Sequence, residues 1–175
     1  MRSLGIPFRV VDTGHDQEAY PPDLEGGEIA QYLADHKSDA YRETLQEGQI
    51  LLTADTVVWF NSKELGKPAN EVEALEMIRL LSGNTHQVYT GVCLRSSQAR
   101  RSFYVRTDVT FSTLEEAEIA YYIRNFKPFD KAGAYGIQEW IGSVAVEKIV
   151  GSYFNVMGLP VQRVYQELKS MTGKR

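Results

Sequence analysis

The segment Gln49 to Pro68, QILLTADTVVWFNSKELGKP, constrains the fold more than any other part of the chain. Ile50, Leu51, Leu52, Val57, Val58, Trp59 and Phe60 form a near-continuous apolar run of β-forming residues, the pattern of a strand covered on both faces. Asp55 interrupts it. A carboxylate in that setting is costly to desolvate unless hydrogen bonds, a cation or a metal compensate. Lys67 follows between Gly66 and Pro68, and a turn at Asn61-Ser62 would bring its ammonium back toward Asp55. Together they make the beginning of a polyanion or metal site. The plainer alternative is a strand that ends early at a solvated Asp55, with Lys67 on the surface.

The chain has 175 residues, enough for one domain with a full core and hardly enough for two. Its net charge of -4 gives no global positive field for nucleic acid or an anionic membrane, so any phosphate-binding character has to be local. Cys93 is the single cysteine, which excludes an internal disulfide and a multi-cysteine zinc site. No apolar run has the length of a membrane span, and the opening MRSLGIPFRV lacks a signal-peptide core. A cytoplasmic protein is expected, with neither nucleic acid nor membrane as partner.

In chain order, Ile6 to Thr13 reads as a short strand. Gly14 to Gly27 reads as a loop carrying Asp16 and Glu18, carboxylates that such a loop ordinarily leaves solvated. Glu28 to Leu45 has helical spacing; Lys37 falls beside its apolar stripe, either as a snorkelling stem or as an ammonium at the edge of a cleft. Asn70 with Glu73 opens a helix with Val72, Leu75, Ile78 and Leu81 inward, closed by Gly83. Thr85 to Arg95 and Ser102 to Phe111 alternate as an antiparallel pair of strands, and Arg100 and Arg101 fall in the connecting turn. Thr113 with Glu116 reads as a capping box for a helix burying Leu114, Ala117, Ala120, Tyr121 and Ile123. FDKAGAYGIQ, Phe129 to Gln138, is a loop whose glycines allow close approach to a ligand, with Asp130, Lys131 and Gln138 as hydrogen-bonding side chains. Gly142 to Val150 returns to strand character, and Pro160 opens a last helix with Val161, Val164, Tyr165, Leu168 and Met171 inward. The expected class is α/β or α+β with a mixed sheet.

Five separated motifs, ADTVV (Ala54 to Val58), LGKP (Leu65 to Pro68), LSGNTHQVYTGV (Leu81 to Val92), DKAGAYGIQ (Asp130 to Gln138) and GSYFNVMGLP (Gly151 to Pro160), resemble the Maf family of nucleoside triphosphate pyrophosphatases. The likeness runs through nearly the whole chain, read as one Maf-like domain over residues 1–175. It implies a fold like that of inosine-triphosphate pyrophosphatases, an elongated mixed sheet flanked by helices with a cleft between two lobes. It also implies hydrolysis of a nucleotide's α-β phosphoanhydride to the monophosphate and pyrophosphate. On these residues, Asp55 matches the family's proton acceptor, helped by a divalent cation, magnesium or manganese, that Glu18 and Asp55 would hold. Lys37 and Lys67 match phosphate-contacting lysines, Thr56 and Gln138 match base-recognition positions, and Lys131 supports the loop or touches substrate. The Gln138 amide complements the O4/N3–H edge of uracil or thymine, which favours dTTP, UTP and modified uridine triphosphates over 7-methyl-GTP or inosine triphosphate. A homodimer is implied by the resemblance alone. A different class of reading is a non-catalytic, nucleotide-binding regulator of cell division and septum formation. One departure stands at the front: the family's S-x-R-R strand-loop has no counterpart in MRSLGIPF, and Arg2 is not taken as its replacement. Strand and loop are therefore expected to be missing, as in an N-terminally truncated chain, with a sheet edge left uncovered and turnover in question.

Overall fold

The computed structural model describes residues 1–12 and 19–173. The apolar run around Asp55 is β1 (Leu51–Phe60), and Asn61-Ser62 turns it back into β2 (Lys63–Leu65). Both turn residues have positive φ, 50° and 59°, and Phe60 pairs with Lys63, so this is a two-residue hairpin whose left-handed turn matches the strand twist. Three longer partners complete the sheet: β3 (Thr85–Arg95), β4 (Arg100–Phe111) and β5 (Val146–Val150). The order is β2-β1-β3-β4-β5. Each pairing is antiparallel, so the helices come between strands without parallel crossovers.

Helices cover both faces, which explains why β1 lacks a polar side. α1 (Gly27–Ala40) lies on one face, where Ile29, Ala30 and Leu33 bury Val57 and Trp59 packs beside them. On the other face, α2 (Glu71–Leu81), α3 (Glu116–Phe126) and the Ala132–Ala134 turn enclose the largest core around Val58, Ile78, Phe111, Tyr122 and Ile141. Short helices α4 (Trp140–Val144) and α5 (Tyr153–Val156) flank β5, and α6 (Val161–Thr172) sets Val164 against Val92 and Leu94. α1 approaches closely at Gly91, where a Cβ would lie 2.1 Å from the Ala30 carbonyl oxygen. Any side chain there would hold the helix off the sheet.

Local expectations fail where a tertiary partner decides. Ile6 to Asp12 forms no strand and pairs with none of the described strands, and Val10 is 87% exposed. α1 stops at Ala40, ahead of the expected Leu45, because Tyr41 turns extended. Arg100 and Arg101 are not a solvated turn: they lie in β4, Arg100 paired with Asp35 and Asp39 of α1, and Arg101 with Glu167 of α6. The capping box of α3 is Glu115 with Glu118, not Thr113 with Glu116, and this two-residue shift buries Ile119 and Tyr122 while Tyr121 is exposed. Val72 is likewise exposed, Ala74 taking the inward place on α2. Asn70 does cap α2, its Oδ1 accepting from the Glu73 N–H at 3.0 Å.

Candidate functional site

β2 pairs only with Val58 to Phe60, so among the described residues no strand covers the same edge of β1 from Leu51 to Val57. At that edge both faces of β1 open into one cavity of about 310 Å³. Asp55, directed toward α1, and Thr56, directed to the opposite face, therefore line the same space. Lys37, Lys67, Lys131 and Gln138 line it too. Of the expected site residues, only Glu18 lies outside the described residues.

Each side chain arrives for a local reason. Lys37 sits on the inner flank of α1 and donates to Asp55 Oδ1. Neither the carboxylate nor the ammonium of this pair is on the surface: side-chain exposure is 28% for Lys37 and 13% for Asp55. Asp55 pairs in register with Gly91, the residue that admits α1, so the same contact that seats the helix sets the distance from lysine to carboxylate. The β1–β2 hairpin carries Lys67 back to the cavity. The glycine loop is pinned to it, the Gly133 N–H donating to the Gly66 carbonyl at 3.1 Å while Gly133, at φ +67°, abuts Val58.

Lys131 is held by acid on two sides, 2.8 Å from Asp130 and 3.3 Å from Glu139. The Asp130 hydrogen bond, then Glu139, raises its pKa above the ordinary lysine value, so it presents a fixed positive charge. Glu139 also accepts from the Tyr122 hydroxyl, whose pKa is raised first by burial and then by that carboxylate. On the opposite wall Glu64 accepts from Tyr20, which pushes the phenol up to about 12. Gln138 is exposed at the cavity, with its amide available in either orientation.

The cavity gathers the ammonium groups of Lys37, Lys67 and Lys131 with the carboxylates of Asp55, Glu64 and Asp130, beside the neutral amide of Gln138 and the hydroxyl of Thr56, a set that can hold a polyanion with its counter-cation and a planar polar group. A family model described as Maf-like protein matches residues 1–171. The chain belongs to the Maf-like family. Relatives named dTTP/UTP pyrophosphatase include those of Bacteroides thetaiotaomicron, 50% identical across 98% of this chain and 89% of the relative, and Phocaeicola vulgatus, 53% identical over the same shares. A third, from Porphyromonas gingivalis, is 49% identical over 97% of this chain and 86% of its own length.

This cavity also has support from residues that the sequence analysis did not name as site residues. Asn155 is wholly buried between α5 and the sheet, its amide N–H groups directed at the Val88 carbonyl (3.1 Å), the Val105 carbonyl (3.0 Å) and Thr107 Oγ1 (3.0 Å). It ties the GSYFNVMGLP segment to β3 and β4, which sets Met157 and Gly158 against Thr56. A lone asparagine inside an aromatic stretch was the available signal. Glu64 and Tyr20 had none, because their pairing spans a hairpin and a loop.

Proposed function

We propose that this chain is a nucleoside triphosphate pyrophosphatase that hydrolyses dTTP and UTP, and uridine triphosphates with modified bases, to the monophosphate and pyrophosphate. The observation that carries the reading is the cavity in which Asp55 stands beside Lys37, Lys67 and Lys131. Water attacks phosphorus at the α-β phosphoanhydride, the bridging P–O bond breaks, pyrophosphate leaves, and Asp55 takes the proton of the water. Lys37 and Lys67 orient the triphosphate and offset its charge as it shifts to the leaving group, while Lys131 stiffens the glycine loop and adds to the positive wall. Gln138 and Thr56 meet the edge of the base.

A divalent cation, magnesium or manganese, fits these residues. Asp55 offers a hard carboxylate oxygen at the cavity wall, Glu64 lines the same space, and magnesium is commonly held by one or two carboxylates together with substrate phosphates. Among the described residues no cluster of three acidic, histidine or cysteine side chains would hold an ion unaided, which is consistent with a cation that arrives with the nucleotide. Glu18 is the second protein ligand in this reading. Held there, such a cation would supply neutralisation of phosphate charge and a lowered pKa for the attacking water.

Among the described residues no helix is long and apolar enough to cross a membrane. The reading places one domain of residues 1–175 in the cytoplasm as a homodimer, with neither nucleic acid nor membrane as partner. The test is pyrophosphate release from dTTP and UTP with magnesium or manganese, by the wild type and Asp55→Asn. The amide should lose about a hundredfold or more in kcat. Equal rates for the two proteins, or no release by the wild type, would overturn the assignment.

A further inference from the structure

Thr90 is fully buried on β3, opposite Thr56 in register, and the two hydroxyl oxygens are 2.9 Å apart. Thr90 Oγ1 also lies 2.9 Å from the Asn155 carbonyl oxygen. A carbonyl only accepts, so the single Thr90 hydrogen belongs to that bond. The hydrogen between the two threonines must then come from Thr56. Its donor is committed inward, and what Thr56 Oγ1 presents to the cavity is lone pairs.

We infer that Thr90 is a positioning residue for base selection: it holds the Thr56 hydroxyl as a pure acceptor, matched to a ring N–H and mismatched to a bare ring nitrogen. The inference rests on the pyrimidine nucleotide reading of the cavity and deepens it. Uracil and thymine carry a hydrogen on N3, whereas cytosine has a lone pair there. Gln138 cannot make this distinction alone, because its amide turns over to present either sense. The fixed sense comes from the buried relay Thr56 to Thr90 to Asn155, in which no member has a spare hydrogen to redirect.

The experiment compares kcat/KM for UTP and CTP in the wild type, Thr90→Val, Thr90→Ser and Thr90→Cys, with urea denaturation of each. Thr90→Val removes the acceptor, so Thr56 rotates and donates outward. The UTP/CTP ratio should fall at least about tenfold, mainly through KM, while Thr90→Ser keeps the wild-type ratio. Thr90→Cys, close in size with a weakly accepting sulfur, should lose part of the ratio and serves if the valine variant does not fold. A parallel loss on both nucleotides with the ratio unchanged would make Thr90 structural only and overturn the inference. Calorimetric binding of UMP and CMP to the same proteins separates the two readings. If the wild type releases no pyrophosphate, the pyrophosphatase reading fails, and the UMP/CMP ratio still decides Thr90: a fall in Thr90→Val supports it, and no wild-type preference or no change overturns it.

Discussion

Lys37 Nζ donates to Asp55 Oδ1 across the packing interface between α1 and β1. Asp55 lies beside Gly91 in the sheet register, where Ala30 of α1 approaches closely, and both side chains of the pair are mostly withdrawn from solvent. Attraction between charges is less screened there than at an exposed surface pair. The carboxylate that would take a proton and the ammonium that would meet a phosphate are thereby one unit, positioned by helix packing.

Replacing the ammonium tests this unit. Lys37→Met keeps a stem of similar reach along the apolar stripe and removes both the ion pair and the proposed phosphate contact. We expect kcat/KM for UTP to fall about a hundredfold, with stability in urea changed by only about 1 kcal/mol. Lys37→Arg, which keeps the charge, should recover part of the loss. Steady-state kinetics and urea midpoints on the same preparations check both statements.

Gly91→Ala probes the spacing without touching a charged group. The added Cβ would sit 2.1 Å from the Ala30 carbonyl oxygen, so α1 must move outward. Overpacking of this kind costs about 1–3 kcal/mol, and the displaced helix carries Lys37 with it. Thermal or urea unfolding should show the stability loss, and kcat for UTP should fall more than the fraction of unfolded protein accounts for.

His86 makes stability depend on pH. It is fully buried, with Nε2 2.7 Å from the Tyr135 hydroxyl, and burial pushes its pKa from 6.5 down to about 4. Between those values the unfolded chain binds a proton that the folded chain does not, so stability is retained above about pH 6.5, declines as pH falls, and levels off below about pH 4. The linked loss is about 3 kcal/mol across that window. Urea midpoints at pH 7 and pH 4.5 should show it, and His86→Phe should remove that part of the slope.

Much of this protein was determined by its sequence alone. The run around Asp55 reads as a strand covered on both faces, since a half-exposed strand would have alternated. Asn61-Ser62 turned it back, Asn70 opened α2, and the period-two pattern marked β3 over Thr85–Arg95. Those signals are local, set by backbone dihedrals, caps and the spacing of apolar residues along a few turns.

Tertiary structure decided what depends on distance through space. Ile6 to Asp12 has strand-like composition yet pairs with none of the described strands; Arg100 and Arg101 look like turn residues and find carboxylates on α1 and α6. By its spacing alone Lys37 read more simply as a snorkelling stem; the docking of α1 at Gly91 places it on Asp55. The hydrogen-bond sense of Thr56 was likewise invisible, because it is settled by a buried threonine on the next strand and a carbonyl on α5. Local pattern specifies which elements form, but the direction of a proton or the reach of an ammonium is fixed only when elements remote in sequence close on one another.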